Sequence, residues 1–235
     1  RFLGIPPSDG TMAELVAAPA RFVHQMADAL SWADGAMIEP FAIGLQAARS
    51  AGIEPGASVV VLGAGPIGLM ILQAARIRGA TTLIAVDVAE RPLAMARQLG
   101  ATATLDGRSR QALAERVREL TGGDGADHAI EAVGAAATVQ AALDLVRRGG
   151  TVTLVGIAEQ PGIPLDTIKI VRTGLTVRSS FRYAHVHEAA LELAAAGRVD
   201  LRTFVTHTFP FDDVAAAFRE VATGKSEVVK AVVEL

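Results

Sequence analysis

Between residues 57 and 182 apolar positions recur in two alternating patterns. Short β-branched runs at 59–62, 82–86, 103–105, 128–132, 151–155 and 175–179 predict strands. Ala/Leu/Arg segments of helical period at 67–78, 90–99, 109–120, 136–147 and 165–172 predict helices between them. A parallel pair of strands cannot be joined by a tight turn, so this alternation predicts parallel strands with helical crossovers. Right-handed crossovers then place helices on both faces of the sheet. Six strands make this an α/β chain with a doubly wound parallel sheet of the Rossmann kind.

The flanks read differently. A helix is expected over about 34–50, preceded by irregular chain with strand-like stretches at 13–17 and 22–24. After residue 183 the pattern predicts a helix at 186–196, a strand at 204–208, a helix at 212–223 and a last strand at 228–233. The two flanks are expected to meet in a second domain.

Composition narrows the field. The chain has 235 residues, 51% of them hydrophobic, which excludes a disordered polymer. A net charge of −3 gives no electrostatic case for nucleic acid or an anionic membrane. No cysteine is present, so disulfides and sulfur-based zinc sites within the chain are excluded. Only three of the 22 basic residues are lysine, so a lone arginine says little about function. The uncharged run 55–75 is long enough to span a bilayer, but Gly63, Gly65, Pro66 and Gly68 interrupt it after a strand-like run. No signal peptide is visible, and a cytoplasmic protein is the expectation. Arg1 is not an initiator Met, and the chain reads as cut from something longer.

Candidate chemistry begins at Gly63-Ala64-Gly65-Pro66-Ile67-Gly68, which follows a strand and opens a helix. The first glycine permits a tight turn, the second a close approach to a pyrophosphate, and the third close helix–strand packing. The helix N-terminus offers N–H groups to phosphates. Asp87 closes the next strand, nineteen residues after Gly68, where an acid accepts bonds from an adenosine ribose. An acid there is also a common helix cap. Arg91 is placed to reach the adenosine edge or to face solvent. Other strand ends carry Glu131 and Gly134, then Val155-Gly156-Ile157, then Phe181-Arg182-Tyr183. Glu39 sits between apolar neighbours with Pro40 after it. Burying such an acid is costly without a partner, although Pro in a first helical turn is ordinary. The histidines His24, His128, His185, His187 and His207 match no metal-ligand spacing, and His185-Val186-His187-Glu188 reads as a helix start.

In this order the motifs resemble zinc-dependent medium-chain dehydrogenases, in particular the sorbitol and xylitol dehydrogenase branch. The residues carrying the resemblance are 35–44 (GAMIEPFAIG), 53–56 (IEPG), the glycine loop, 179–183 (SSFRY) and 205–210 (VTHTFP). The resemblance implies NAD-dependent, reversible oxidation of a polyol or other secondary alcohol to a ketone, in a tetramer or dimer. It implies that Glu39 lies beside a catalytic zinc, hydrogen-bonding its water or ligating it. It implies substrate contact for Arg182 and Tyr183, and an NAD lining of Ile67, Asp87, Val155, Gly156, Ile157, Ser180, Phe181 and Arg182. Pro92 stands where relatives often carry an arginine. The family's other zinc ligands would precede Arg1. Residues 1–39 are then a remnant of an incomplete catalytic domain, 40–182 the dinucleotide-binding domain, and 183–235 the C-terminal part of the catalytic domain. The alternatives are a zinc-free quinone or enoyl reductase of the same superfamily and a non-catalytic NAD-binding module.

Overall fold

The computed structural model describes residues 4, 7–223 and 228–234. Six strands, β1 (Ser58–Leu62), β2 (Thr82–Asp87), β3 (Ala103–Asp106), β4 (Ala126–Glu131), β5 (Val146–Leu154) and β6 (Thr176–Ser179), form one sheet in the order β3-β2-β1-β4-β5-β6. Every pairing in it is parallel. The order reverses between β1 and β4, so a crevice opens at their carboxyl ends.

Burial on both faces explains the β-branched runs. Val59 and Val61 of β1 pack on one side with Met37, Phe41, Met70 and Ile71, all within 1% of full burial. Val60 and Leu62 point the other way, to Val117, Leu143 and Leu145. The first layer is built by α1 (Trp32–Ala51), α2 (Pro66–Ile77) and α3 (Glu90–Gln98), and the second by α4 (Arg110–Leu120) and α5 (Ala136–Leu145). Each large apolar side chain so buried contributes roughly 1.5–3 kcal/mol. A short α6 (Thr167–Thr173) leads into β6.

The chain then leaves the sheet through α7 (His187–Ala195), β7 (Val205–Pro210), α8 (Val214–Thr223) and β8 (Lys230–Glu234). β7 and β8 pair in parallel as a separate sheet. The two flanks touch, since His24 stacks on His187 and its Nδ1 lies 3.8 Å from Glu188.

Several expectations are corrected. Residues 13–17 and 22–24 form no strand; a 3-10 turn, Ala20–Phe22, stands there, and Leu15, Phe22 and Val23 are exposed. A strand needs a partner for its backbone, and none is paired with these residues among those described. β5 begins at Val146, five residues early, because Ala126 of β4 pairs with Val146 before a register shift. α1 begins at Trp32, two residues before the expected start near 34. Its start is set by a capping box: the Ser31 hydroxyl accepts from the Asp34 N–H at 3.1 Å, and Asp34 accepts from the Ser31 N–H at 2.9 Å. That signal was present in the sequence and was missed. Pro40 is therefore the ninth helical residue, not a first-turn proline.

Candidate active site

The glycine loop connects β1 to α2. Gly63 has φ 93°, and its N–H donates to Val86 O at 2.8 Å, tying the loop to β2. A Cβ on Gly68 would lie 1.8 Å from the Gly63 carbonyl oxygen, so only glycine lets α2 start there. A Cβ on Gly65 would meet no atom within 4 Å. The space over Gly65 is therefore open, directly at the N-terminus of α2. Gly65 caps that helix without a side chain and Pro66 is its first residue, leaving first-turn amides for an anion. Asp87 holds the same loop. Its Oδ2 accepts from Ala64 N–H at 2.8 Å, and its Oδ1 from Val88 and Ala89 at 2.8 and 3.0 Å. A carboxylate offers about four acceptor positions, so three bonds leave one for a ligand. Arg91 lies exposed on the first turn of α3.

A cavity of about 410 Å³ opens where β1, β4, β5 and β6 end. Eight predicted residues line it together: Glu39, Ile67, Val155, Gly156, Ile157, Ser180, Phe181 and Arg182. Ile43, Ala132 and Val133 also line it and were not predicted. Ile43 was legible as the residue one helical turn after Glu39, and Ala132-Val133 as the residues after β4. The loops after β4 and β5 pack backbone to backbone, since a Cβ on Gly156 would sit 2.1 Å from Gly134 N. Glu131 organises this corner. Fully buried, it accepts on Oε1 from Val133 N–H (2.9 Å), Gly134 N–H (2.8 Å) and the Thr138 hydroxyl (2.7 Å). Its Oε2 and the buried Ser180 Oγ have no partner among the described residues.

Glu39 is exposed at the rim of this cavity. The helix turns Met37, Ile38, Pro40 and Phe41 into the core and Glu39 out of it. Half-buried Tyr183 neighbours it. Burial, then the Glu39 charge and a hydrogen bond with it, raise the Tyr183 hydroxyl above its ordinary pKa. That phenol stays protonated and donates. His187 packs its edge on the Tyr183 ring, with centroids 4.5 Å apart, and lies nearly parallel to His24 at 5.3 Å. Burial first, then the His24 charge, lowers the His187 pKa, with Glu39 acting against them. Arg182 and His185, either side of this tyrosine, adopt φ of 56° and 55°. Such left-handed backbone is uncommon outside glycine and concentrates at functional sites. The His24–His187 pairing is invisible to spacing rules because 163 residues separate the two. No group of three His, Cys, Asp or Glu among the described residues is placed to hold a metal ion.

Residues 66–196 match the model of a family described as zinc-binding dehydrogenase. Over all 235 residues the chain is 40% identical to a protein of Rhizobium meliloti (strain 1021) named "Putative D-xylulose reductase", covering 67% of its length. It is 35% identical to the sorbitol dehydrogenase of Bacillus subtilis (strain 168) over 99% of this chain and 66% of that one. Among solved structures, 2R,3R-butanediol dehydrogenase from Bacillus subtilis superposes with a TM-score of 0.91 at 30% identity, over 100% of this chain and 67% of that one. The chain thus spans about two thirds of the length of these relatives.

Proposed function

Because the chain belongs to the zinc-binding dehydrogenase family, we propose that it serves an NAD-dependent oxidoreductase that converts a polyol or other secondary alcohol to a ketone, reversibly. The observation that carries this reading is the single cavity uniting Glu39 and Arg182 with the strand-end residues beside the glycine loop. Residues 40–182 act as the dinucleotide domain, with 1–39 and 183–235 belonging to the catalytic domain. The relatives' names support a polyol or diol as substrate. The apolar Ile168 and Val171, exposed on α6 next to the edge strand, support a homo-oligomer. A cytoplasmic setting suits a soluble nicotinamide.

The residues present fit the dinucleotide. The open space over Gly65 and the amides of α2 would receive the pyrophosphate, and Asp87 would accept from the ribose, with Arg91 beside the adenosine. Ile67, Val155, Gly156, Ile157, Ser180 and Phe181 would flank a nicotinamide, which supplies a hydride acceptor when bound. Arg182 and Tyr183 orient the alcohol, the tyrosine as donor. Glu39 accepts a hydrogen bond from the reacting hydroxyl and takes its proton as hydride leaves the carbon. The described residues do not fit a zinc ion, since Glu39 is not joined by two further donors, and no step here passes through one.

The test is spectrophotometric. NADH formation from xylitol, sorbitol and 2,3-butanediol is expected, with NADPH formation much slower. Turnover of none of these alcohols with either nucleotide would overturn the reading.

A further inference from the structure

A second cavity, of about 550 Å³, is lined by Tyr183, whose hydroxyl bonds Glu39 at the rim of the first. Both volumes fall in the range of small-molecule sites, roughly 300–1,000 Å³. Residues from the two flanks form the second cavity, and six of its eight lining residues bring a polar group into walls that are otherwise mainly apolar: Arg21, His24, Tyr183, His185, His187 and Glu188. Phe22 and Ala184 are the apolar exceptions. Neither sign of charge dominates. Arg21 lies over the Phe22 ring at 4.6 Å and Glu188 lies 3.8 Å from His24. An anion would face Glu188 and a cation would face Arg21. A neutral ligand that both donates and accepts hydrogen bonds suits such a lining.

Neutral imidazole has one donor and one acceptor nitrogen, matching a hydroxyl in both roles. Burial and then His24 lower the His187 pKa, which favours its neutral form, with Glu39 acting against them. The His24 and His187 rings stack with an interplanar angle of 11°, and both residues line the cavity. Tyr183 connects the two cavities, with its hydroxyl near Glu39 on one side and its ring against His187 on the other.

We propose that this second cavity is a hydroxyl-binding subsite for the far end of an open-chain polyol, with His24 and His187 as its hydrogen-bonding groups. The inference rests on the polyol reading above and deepens it: the reacting carbon sits by Glu39, and the remaining carbons run past Tyr183. A short alcohol ends before the histidines and gains nothing from them. Bonds made equally in the ground state and the transition state change KM and leave kcat alone.

The experiment compares xylitol with 2-propanol in the intact enzyme. His187→Phe and His24→Phe keep the ring contacts and remove the nitrogens. Each is expected to lower kcat/KM for xylitol about 3- to 10-fold, one net hydrogen bond's worth, almost wholly through KM. Turnover of 2-propanol should stay within about 2-fold, since no hydrogen bond to it is lost. Should His187→Phe fail to fold, His24→Phe on the outer ring carries the same comparison. Histidine ring resonances should also shift on titration with xylitol and stay put with 2-propanol. Equal losses for both alcohols would show that the histidines merely support Tyr183, and unchanged xylitol kinetics would show that they bind nothing; either overturns the subsite. A parent enzyme that oxidises neither alcohol overturns the dehydrogenase reading, and the subsite with it.

Discussion

Strand β4 carries an acid near each end, and the two are used differently. At the amino edge of the sheet Asp127 locks strands together. Its Oδ2 accepts from the Ser58 N–H and hydroxyl at 2.8 and 2.7 Å, and its Oδ1 from Arg147 Nε at 2.7 Å. Its own N–H returns a bond to Ser58 Oγ at 2.9 Å. Every contact is with a strand or its end. At the carboxyl edge Glu131 and Asp87 accept mainly from loop amides, and the buried Glu131 Oε2 has no partner among the described residues. A parallel sheet sends its connecting loops over the carboxyl edge toward the crevice. Acids there shape loops for a ligand, whereas acids at the other edge stabilise the sheet itself.

Glu39, at the carboxyl edge, gives the sharpest test. Glu39→Gln keeps the shape and removes the proton acceptor. We expect kcat to fall about 100- to 10,000-fold, the usual worth of a general base, with Tm unchanged because the side chain is exposed. An unchanged kcat would make Glu39 a helix-surface residue. Glu131→Ala comes next. It orphans the Val133 and Gly134 amides in a part-buried corner, which costs about 2–3 kcal/mol in urea unfolding, while the Thr138 hydroxyl keeps the Ala135 carbonyl. The loops lining the nicotinamide end of the cavity should loosen, so calorimetry should also show weaker NAD binding. Asp127→Ala should lower stability and leave NAD affinity alone. If both variants weaken NAD binding equally, the contrast between the edges fails.

The sheet was legible because its residues obey a local rule. Val59 to Leu62 are apolar on both faces, and the Gly63–Gly68 spacing requires a strand before it and a helix after it. The cavity lining was legible for the same reason, since ligands gather at strand ends. The flanks were not. Residues 13–17 and 22–24 have strand composition but no paired neighbour among the described residues, and propensity without pairing does not make a strand. The His24–His187–Tyr183 cluster depends on two segments meeting in space, which no local pattern encodes. The exposure of Glu39 was hidden because its sequence neighbours are apolar, while a helix turns them to a different side.

Asp87 is expected to matter less than Glu131 because its bonds lie partly in solvent. Asp87→Ser removes the charge at the ribose position. NAD affinity should fall about 10- to 150-fold, the range for one bond to a charged group, and the preference over NADP should shrink as the repulsion of a 2′-phosphate disappears. An unchanged NAD/NADP ratio in parallel titrations would leave Asp87 as an organiser of the glycine loop alone.

The amino edge supplies the smallest effect, and it is a dependence on pH. Burial alone would raise the Asp127 carboxyl, but the Ser58 N–H, the Ser58 hydroxyl and Arg147 bring it down to about 2. Its neighbour His128 is lowered by burial first; Asp127 and Glu54 oppose this, and Arg147 and Arg178 add to it. For both groups the unfolded chain binds protons more readily than the folded one, so stability rises with pH across each window. The His128 contribution is complete above about 6.5 and declines as pH falls below that value. The Asp127 contribution is complete above about 3.9 and is lost as pH falls through about 2. After allowance for partial exposure it amounts to about 1–2 kcal/mol. Urea unfolding of the parent should therefore show one decline beginning near neutrality and a second in strong acid. Asp127→Asn should shrink the second, which the lowered carboxyls of Asp34 and Asp144 share, and His128→Gln should shrink the first, which His187 shares. A first decline unchanged by His128→Gln would assign it to His187 instead.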